Sequence, residues 1–327
     1  MFALLQTLRS VRHCATLTTM SKEVSELSVP VPSGEIRGRV WGPDHGRPVL
    51  CLHGWADNCG TFNTLIPLLP KECRYVALDL AGHGLSSHRP AGVSYSFPAY
   101  VADVRRVVDA LQLKKFSIIG HSMGADIAGM FSALYPEMVD ALVLLDAYGF
   151  LPTDSVQTTT EISKVMRQGM DEMLQFEKKT EEKKRVYTYE KAVERLLAAN
   201  PTLSEQSVHI LLERGLVQAE GAGFVFSRDL RVNFKNIACI SLEQVLEMQS
   251  RIQASVLVVL ADKGFGTTFP ESNQQKLTSL LQGYRERNHT VVTAPGDHHI
   301  HLSNPEVVAP LVSDFLQTKV LSQRLPA

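Results

Sequence analysis

No stretch of this 327-residue chain approaches the roughly 18 consecutive apolar residues that a membrane-spanning helix needs. Neither sign of charge is in excess, since 33 Lys and Arg stand against 34 Asp and Glu. Without a basic stripe to neutralise phosphates, nucleic acid is not an expected partner. Cysteine is sparse: Cys14, Cys51, Cys59, Cys73 and Cys239 form neither a disulfide framework nor a C-x-x-C metal pair. That points to a reducing, intracellular compartment, the cytoplasm first. Nucleotide-binding glycine fingerprints, cofactor-lysine motifs and metal motifs are also lacking, so no cofactor and no metal are expected. The first 22 residues lack acidic side chains and carry Arg9, Arg12, His13 and Lys22. Such a composition is compatible with a mitochondrial transit peptide or with an unstructured extension in which Met20 is a second start.

What is present is a globular composition, 44% hydrophobic and 20% charged, compatible with a monomer or a homodimer. From about residue 35 short strands alternate with helices. Glu35 to Trp41, Pro48 to Leu52 and Arg74 to Leu80 read as strands. Val101, Val104, Val107, Val108 and Leu111 form a helical stripe within Phe97 to Leu111. Val139 to Leu145 is almost continuously apolar, as in a strand covered on both faces. Ser255 to Leu260 and Thr290 to Thr293 repeat the strand signal, and Pro305 to Leu316 closes with a helix. The expected fold class is α/β, with a mostly parallel sheet flanked by helices. Between Asp146 and Ala254 the alternation stops, in a helix-like stretch without strong strands. The expected organisation is an N-terminal extension at 1–29, a core at 30–149 and 253–327, and an inserted helical lobe at 150–252. The charge run Glu177 to Arg185 reads as a solvated helix face. Met166, Met170, Met173 and Phe176 read as packing within the lobe.

The pentapeptide Gly120-His121-Ser122-Met123-Gly124 concentrates the chemistry. It follows the apolar run Phe116 to Ile119 and opens a segment of helical spacing, Ala125 to Leu134. A serine on a sharp strand-to-helix turn is lifted clear of the sheet, and glycines at two positions before and after it avoid a steric clash. The helix N-terminus directs free N–H groups and the positive end of its dipole at the same place. Ser122 is therefore the candidate nucleophile. A serine hydroxyl attacks effectively only when a base takes its proton, and histidine is the expected base.

Four segments together resemble the α/β-hydrolase superfamily over essentially everything after residue 30. They are His53-Gly54-Trp55, Asp79 to Ser86, the Gly120 to Gly124 elbow, and Gly296-Asp297-His298. Within the superfamily the chain looks most like the serine hydrolase-like proteins. The resemblance implies an α/β-hydrolase fold with an inserted helical cap over the substrate pocket. Haloalkane dehalogenases and epoxide hydrolases of this fold place aspartate at the elbow, so Ser122 argues against both activities. It implies instead an acyl-enzyme route, with a small-molecule acyl ester or thioester as substrate. The resemblance selects His298 as base, seven positions before the helix-starting Pro305, with His299 and His301 directed to the pocket rim or solvent. It supplies Met123 and Trp55 as backbone oxyanion donors, and gives His121 a packing role beside the nucleophile. His53 and His83 are expected to make loop hydrogen bonds, and Asp79 to shape the sheet edge. For the acid, counting from Ala261 to the usual position reaches Gly264, a departure from the pattern. Asp146, which ends the strand before, is preferred, with Asp262 as the alternative. That displacement keeps open a second reading, a hydrolase-fold ligand-binding protein of low turnover. Hydrolysis of a C–C bond next to a ketone is a third.

Overall fold

The computed structural model describes residues 24–152, 162–178, 185–221, 223–234 and 240–322. The acid-free segment, Cys14, Cys239 and most of the charge run lie outside the described residues. In chain order the elements are β1 (Val24–Val31), β2 (Gly34–Trp41), β3 (Arg47–Leu52), β4 (Cys73–Leu78), α1 (Phe97–Ala110), β5 (Phe116–His121), α2 (Met123–Leu134) and β6 (Val139–Leu145). Next come α3 (Ile162–Lys178), α4 (Tyr189–Ala199), α5 (Glu205–Gly215), β7 (Leu216–Gln218), β8 (Phe224–Phe226) and α6 (Leu242–Ser250). The chain continues with β9 (Ser255–Lys263), α7 (Glu271–Glu286), β10 (Thr290–Asp297), α8 (Ile300–Ser303) and α9 (Pro305–Leu316).

Eight strands form one sheet in the order β1-β2-β4-β3-β5-β6-β9-β10. The β1/β2 and β2/β4 pairs are antiparallel, and every pair from β4 to β10 is parallel. Alternation along each buried strand feeds two cores. Leu50, Leu52, Ile118, Leu142, Leu144, Val256 and Val258 face the α1, α2, α6 and α7 side. Val49, Cys51, Ile119, Val143, Leu145, Leu257 and Val259 face α9. Two-sided burial explains why β6 reads as an uninterrupted apolar run.

The sheet begins earlier than expected. β1 overlaps the segment assigned to an extension at 1–29, because Val24 to Val31 pairs with β2 along its whole length. β9 and β10 also run past their apolar stretches, with a register shift between Ala294 and Asp297. α4, α5 and the β7–β8 hairpin enclose a small core of their own, including Ala192, Val208, Leu211 and Leu212. The hairpin supplies two short strands where the sequence suggested none. Thr188 caps α4 and Ser204 caps α5 through accepted N–H bonds. α6 is a core helix rather than part of the inserted lobe. Ser241 and Gln244 start it with a capping box, Val245 joins the sheet-side core, and Gln249 Nε2 donates to Leu280 O at 2.9 Å. On α3, Met166, Met173 and Phe176 are half-buried, but Met170 is exposed, so that stripe is only partly packing. Among the described residues no helix is long and apolar enough to cross a membrane.

One buried ion pair ties the lobe to the sheet. Arg214 on α5 places Nη2 at 2.8 Å from Asp79 and Nη1 at 2.8 Å from Glu26 on β1. Asp79 also accepts the N–H groups of Cys59 and Leu85. Burial alone would raise the Asp79 carboxyl, but Arg214 and these N–H donors more than offset it and hold the group below the usual carboxylate range. Asp79 thus anchors the lobe as well as shaping the sheet edge.

Candidate active site

Ser122 stands at the junction of β5 and α2 with φ 50° and ψ −124°, a conformation that L-residues rarely adopt. Its N–H donates to Leu145 O at 3.2 Å, and its carbonyl accepts from Ala125 at 2.8 Å. The glycines are steric requirements. A Cβ on Gly120 would lie 2.6 Å from Ala125 Cα, and one on Gly124 would lie 2.1 Å from Leu52 O. The elbow therefore holds only where both side chains are absent.

The β10–α8 loop carries His298 over this turn. His298 Nε2 lies 3.0 Å from Ser122 Oγ, and its Nδ1 lies 2.6 Å from Asp146 Oδ2. Asp146 directly follows β6 with φ 44°. Its carboxylate is 2% exposed and accepts Ala261 N–H at 2.9 Å and Phe265 N–H at 2.7 Å. A carboxylate facing Nδ1 makes that nitrogen the donor and leaves the Nε2 lone pair for the serine hydroxyl. Asp262 stays out of this chain: it is exposed and accepts Gly296 N–H at 2.9 Å. Gly264 has a steric reason of its own. A Cβ there would lie 2.1 Å from Asp146 Oδ1 and 2.3 Å from Oδ2. The position expected from the superfamily pattern thus adjoins the space filled by the Asp146 carboxylate.

Met123 and Trp55 both border the cavity beside Ser122. As the first residue of α2, Met123 has an N–H with no acceptor inside its own helix. Gly54 lets the Trp55 loop approach, since its Cβ would lie 2.8 Å from His121 Nδ1 and 3.2 Å from Ser122 Cβ. The Trp55 indole donates to Val232 O at 3.1 Å and lies under the Arg228 guanidinium at 5.2 Å. The cavity has a volume of about 520 Å³ and is walled mainly by aromatic and aliphatic side chains, including Phe97, Tyr148, Phe234 and Phe265.

Beneath the serine lies a histidine cluster. His121 Nε2 donates to His298 O at 2.8 Å, so the elbow holds the loop that carries His298. His299, 8% exposed, borders the cavity as expected, whereas His301 is fully buried and reaches neither rim nor solvent. α8 turns the chain inward, placing His299 Nε2 at 3.3 Å from Asp57 and His301 Nε2 at 2.9 Å from Thr61 Oγ1. Burial would lower the His299 pKa, but the Asp57 carboxylate raises it above the ordinary histidine value. Burial would raise Asp57, and His299 brings it below the ordinary aspartate value. His53 donates Nδ1–H to Gly54 O and accepts Leu80 N–H, while His83 contacts Ala81 O. Burial pushes His83 down to about 3. Both therefore hold loops as neutral rings. Among the described residues no group of three or more His, Cys, Asp or Glu side chains could hold a metal ion.

Sequence reasoning missed Asp57, the cavity-lining Asp126 and the steric role of Gly264. Only Asp126 carried a usable signal, a lone acid one helical turn beyond Ser122 in an otherwise apolar helix.

A family model of the α/β-hydrolase fold matches residues 47–199. A serine hydrolase-like protein of Danio rerio is 56% identical, over 94% of this chain and 93% of that protein. Among solved structures, a hypothetical protein from Pseudomonas aeruginosa is similar with TM-score 0.79 and 29% identity, covering 89% of this chain and 99% of that one. A thioesterase domain from the curacin biosynthetic pathway is similar with TM-score 0.72 and 25% identity, covering 89% and 99%. The chain belongs to the serine hydrolase-like proteins of the α/β-hydrolase superfamily.

Proposed function

We propose that this protein is a serine hydrolase that cleaves small to medium acyl esters or thioesters through Ser122, His298 and Asp146. The observation that carries the reading is the continuous hydrogen-bonded chain from Ser122 Oγ through His298 to Asp146, opening on an apolar cavity of about 520 Å³. Membership of the serine hydrolase-like proteins and the likeness to a thioesterase domain support it.

The substrate carbonyl carbon sits over Ser122 Oγ. As Oγ attacks, His298 Nε2 takes its proton, and the imidazolium is stabilised by the Asp146 carboxylate on Nδ1. The tetrahedral oxyanion is held by the Met123 and Trp55 N–H groups, each contributing about 3 kcal/mol by analogy with measured donor deletions. Collapse breaks the bond to the leaving oxygen or sulfur, which receives the proton from His298. Water then attacks the acyl-enzyme with His298 taking its proton; collapse breaks the acyl–Oγ bond, Ser122 Oγ receives the proton from His298, and the acid departs. The low-turnover ligand-binding reading drew on an acid too displaced to reach the histidine. The 2.6 Å contact between Asp146 and His298 favours the hydrolase reading over it.

The test is pre-steady-state hydrolysis of p-nitrophenyl butyrate and of the matching thioester. One equivalent of fast product release, lost in Ser122→Ala together with about a millionfold of kcat, is the expected result. Saturable ester binding without turnover in a folded wild type would overturn the reading. Turnover of 1,3-diketones but of neither ester would reassign the same residues to C–C bond hydrolysis.

A further inference from the structure

Asp126 is the outlier among the buried aspartates. Asp57, Asp79, Asp103, Asp146 and Asp229 each face a histidine or arginine at 3.3 Å or less. Asp126 is 9% exposed, and its carboxyl has no hydrogen-bond or ion-pair partner among the described residues. A buried carboxyl without a partner is costly, so such groups ordinarily have one. Asp126 borders the same cavity as Ser122 and Met123, and the buried Tyr284 is a titratable neighbour its charge acts on. The Asp126 N–H donates to Ser122 O at 3.2 Å, which sets the residue in the first turn of α2 after the nucleophile. Trp55, 53% exposed, marks the mouth of the cavity. Asp126, at 9% exposure against 53% for Trp55, borders a more enclosed part of the cavity, the part the proposal below assigns to the acyl chain.

We propose that Asp126 is a specificity-determining residue, whose carboxyl hydrogen-bonds a hydroxyl or amine on the acyl part of the substrate. The proposal rests on the hydrolase reading for the placement of the scissile carbonyl, and it names the missing partner of Asp126 as a group on the substrate. Most of the remaining wall is apolar or aromatic, with Asn200 and Asn233 among its polar members, suited to a ring or short chain carrying the polar group. Burial pushes this carboxyl well above the usual carboxylate range. In its neutral form it can both donate to and accept from a hydroxyl. An amine would enter as a cation and drive it to the carboxylate.

Three matched p-nitrophenyl esters test this, the 4-(hydroxymethyl)-, 4-(aminomethyl)- and 4-ethylbenzoates, on wild type, Asp126→Leu and Asp126→Asn. In wild type, kcat/KM should favour at least one donor-bearing ester over the ethyl ester by about tenfold to a hundredfold. The ratio should fall to about one in Asp126→Leu and to an intermediate value in Asp126→Asn. Preference for the hydroxyl alone identifies the neutral carboxyl as the recognising form, and preference for the amine alone identifies the carboxylate. A purely structural role predicts destabilised variants with an unchanged ratio, whereas removal of an unpaired buried carboxyl should leave Asp126→Leu at least as thermally stable as wild type. Equal efficiency on all three esters in wild type, or a ratio unchanged in Asp126→Leu, overturns the proposal.

Failure of wild type to hydrolyse any of the esters counts against the hydrolase reading, and calorimetric titration then decides the role of Asp126 separately. Benzyl alcohol or benzylamine should bind wild type at least tenfold more tightly than Asp126→Leu. Equal binding, or binding to neither protein, overturns the proposal.

Discussion

Exchanging two residues relocates the acid of the proposed triad and tests which carboxylate serves it. Replacing Asp146 with asparagine should reduce kcat about ten-thousandfold, or about 5.4 kcal/mol in the barrier, because the amide no longer holds His298 in the productive tautomer. Asp262→Asn should leave kcat within about threefold of wild type, since among the described residues that side chain bonds only Gly296 N–H. The exchange Asp146→Gly with Gly264→Asp is more informative. A Cβ at position 264 lies 2.1 and 2.3 Å from the present Asp146 oxygens. An aspartate oxygen stands about 2.4 Å from its own Cβ across the two intervening bonds, so the introduced carboxylate can reach the vacated space. Gly264 has φ −85° and ψ −167°, extended backbone that aspartate adopts freely. Glycine also suits the φ of 44° at position 146. The exchange should recover at least tenfold of the activity lost in Asp146→Gly alone, measured as kcat on p-nitrophenyl butyrate. Gly264→Asp by itself should lose activity, because two carboxylates then compete for one site. No recovery in a folded exchange variant, or a large loss in Asp262→Asn, would refute the reasoning.

Other outcomes follow from the same contacts. Ser122→Gly should raise the thermal midpoint while abolishing turnover, because it releases about 1–3 kcal/mol of backbone strain at φ 50°. Arg214→Met should destabilise the fold by about 3–5 kcal/mol in urea titrations, since it leaves the fully buried Asp79 carboxylate unpaired. Asp57→Asn should cost stability in a pH-dependent way. His299 is raised above 6.5, so its contribution is complete below that value and lost as pH rises through the folded pKa. Asp57 is depressed below 3.8, so its contribution is present above that value and lost as pH falls through the folded pKa. The stability deficit of the variant should therefore be largest between about pH 4 and 6.5 and shrink by pH 9.

The central sheet was legible because two-sided burial writes continuous apolar runs, as in β6 and the start of β9. β1 was not, since it is an edge strand paired only with β2, and its side chains are mostly exposed or half-buried. α6 shares the helical signal of the lobe before it, and only its packing on α2 and α7 assigns it to the core. Ser122 stood out because its glycines are steric necessities that leave a pattern. Between Asp146 and Asp262 the sequence offered only a preference for Asp146. The outcome turns on a positive φ at Asp146 and on how far β9 runs before the Gly264 turn, both properties of three-dimensional fit. The inward course of His299 and His301 depended on Asp57 and Thr61, more than two hundred residues away in the chain.

The most direct test of the proposed hydrolase chemistry is intact mass after incubation with a fluorophosphonate, for wild type and Ser122→Ala. The probe reacts only with a serine whose proton is being taken. Addition of one phosphonyl group per chain to wild type and none to Ser122→Ala is the predicted result. An unlabelled, folded wild type, or equal labelling of both proteins, would contradict the assignment of Ser122 and His298 as an active nucleophile and base.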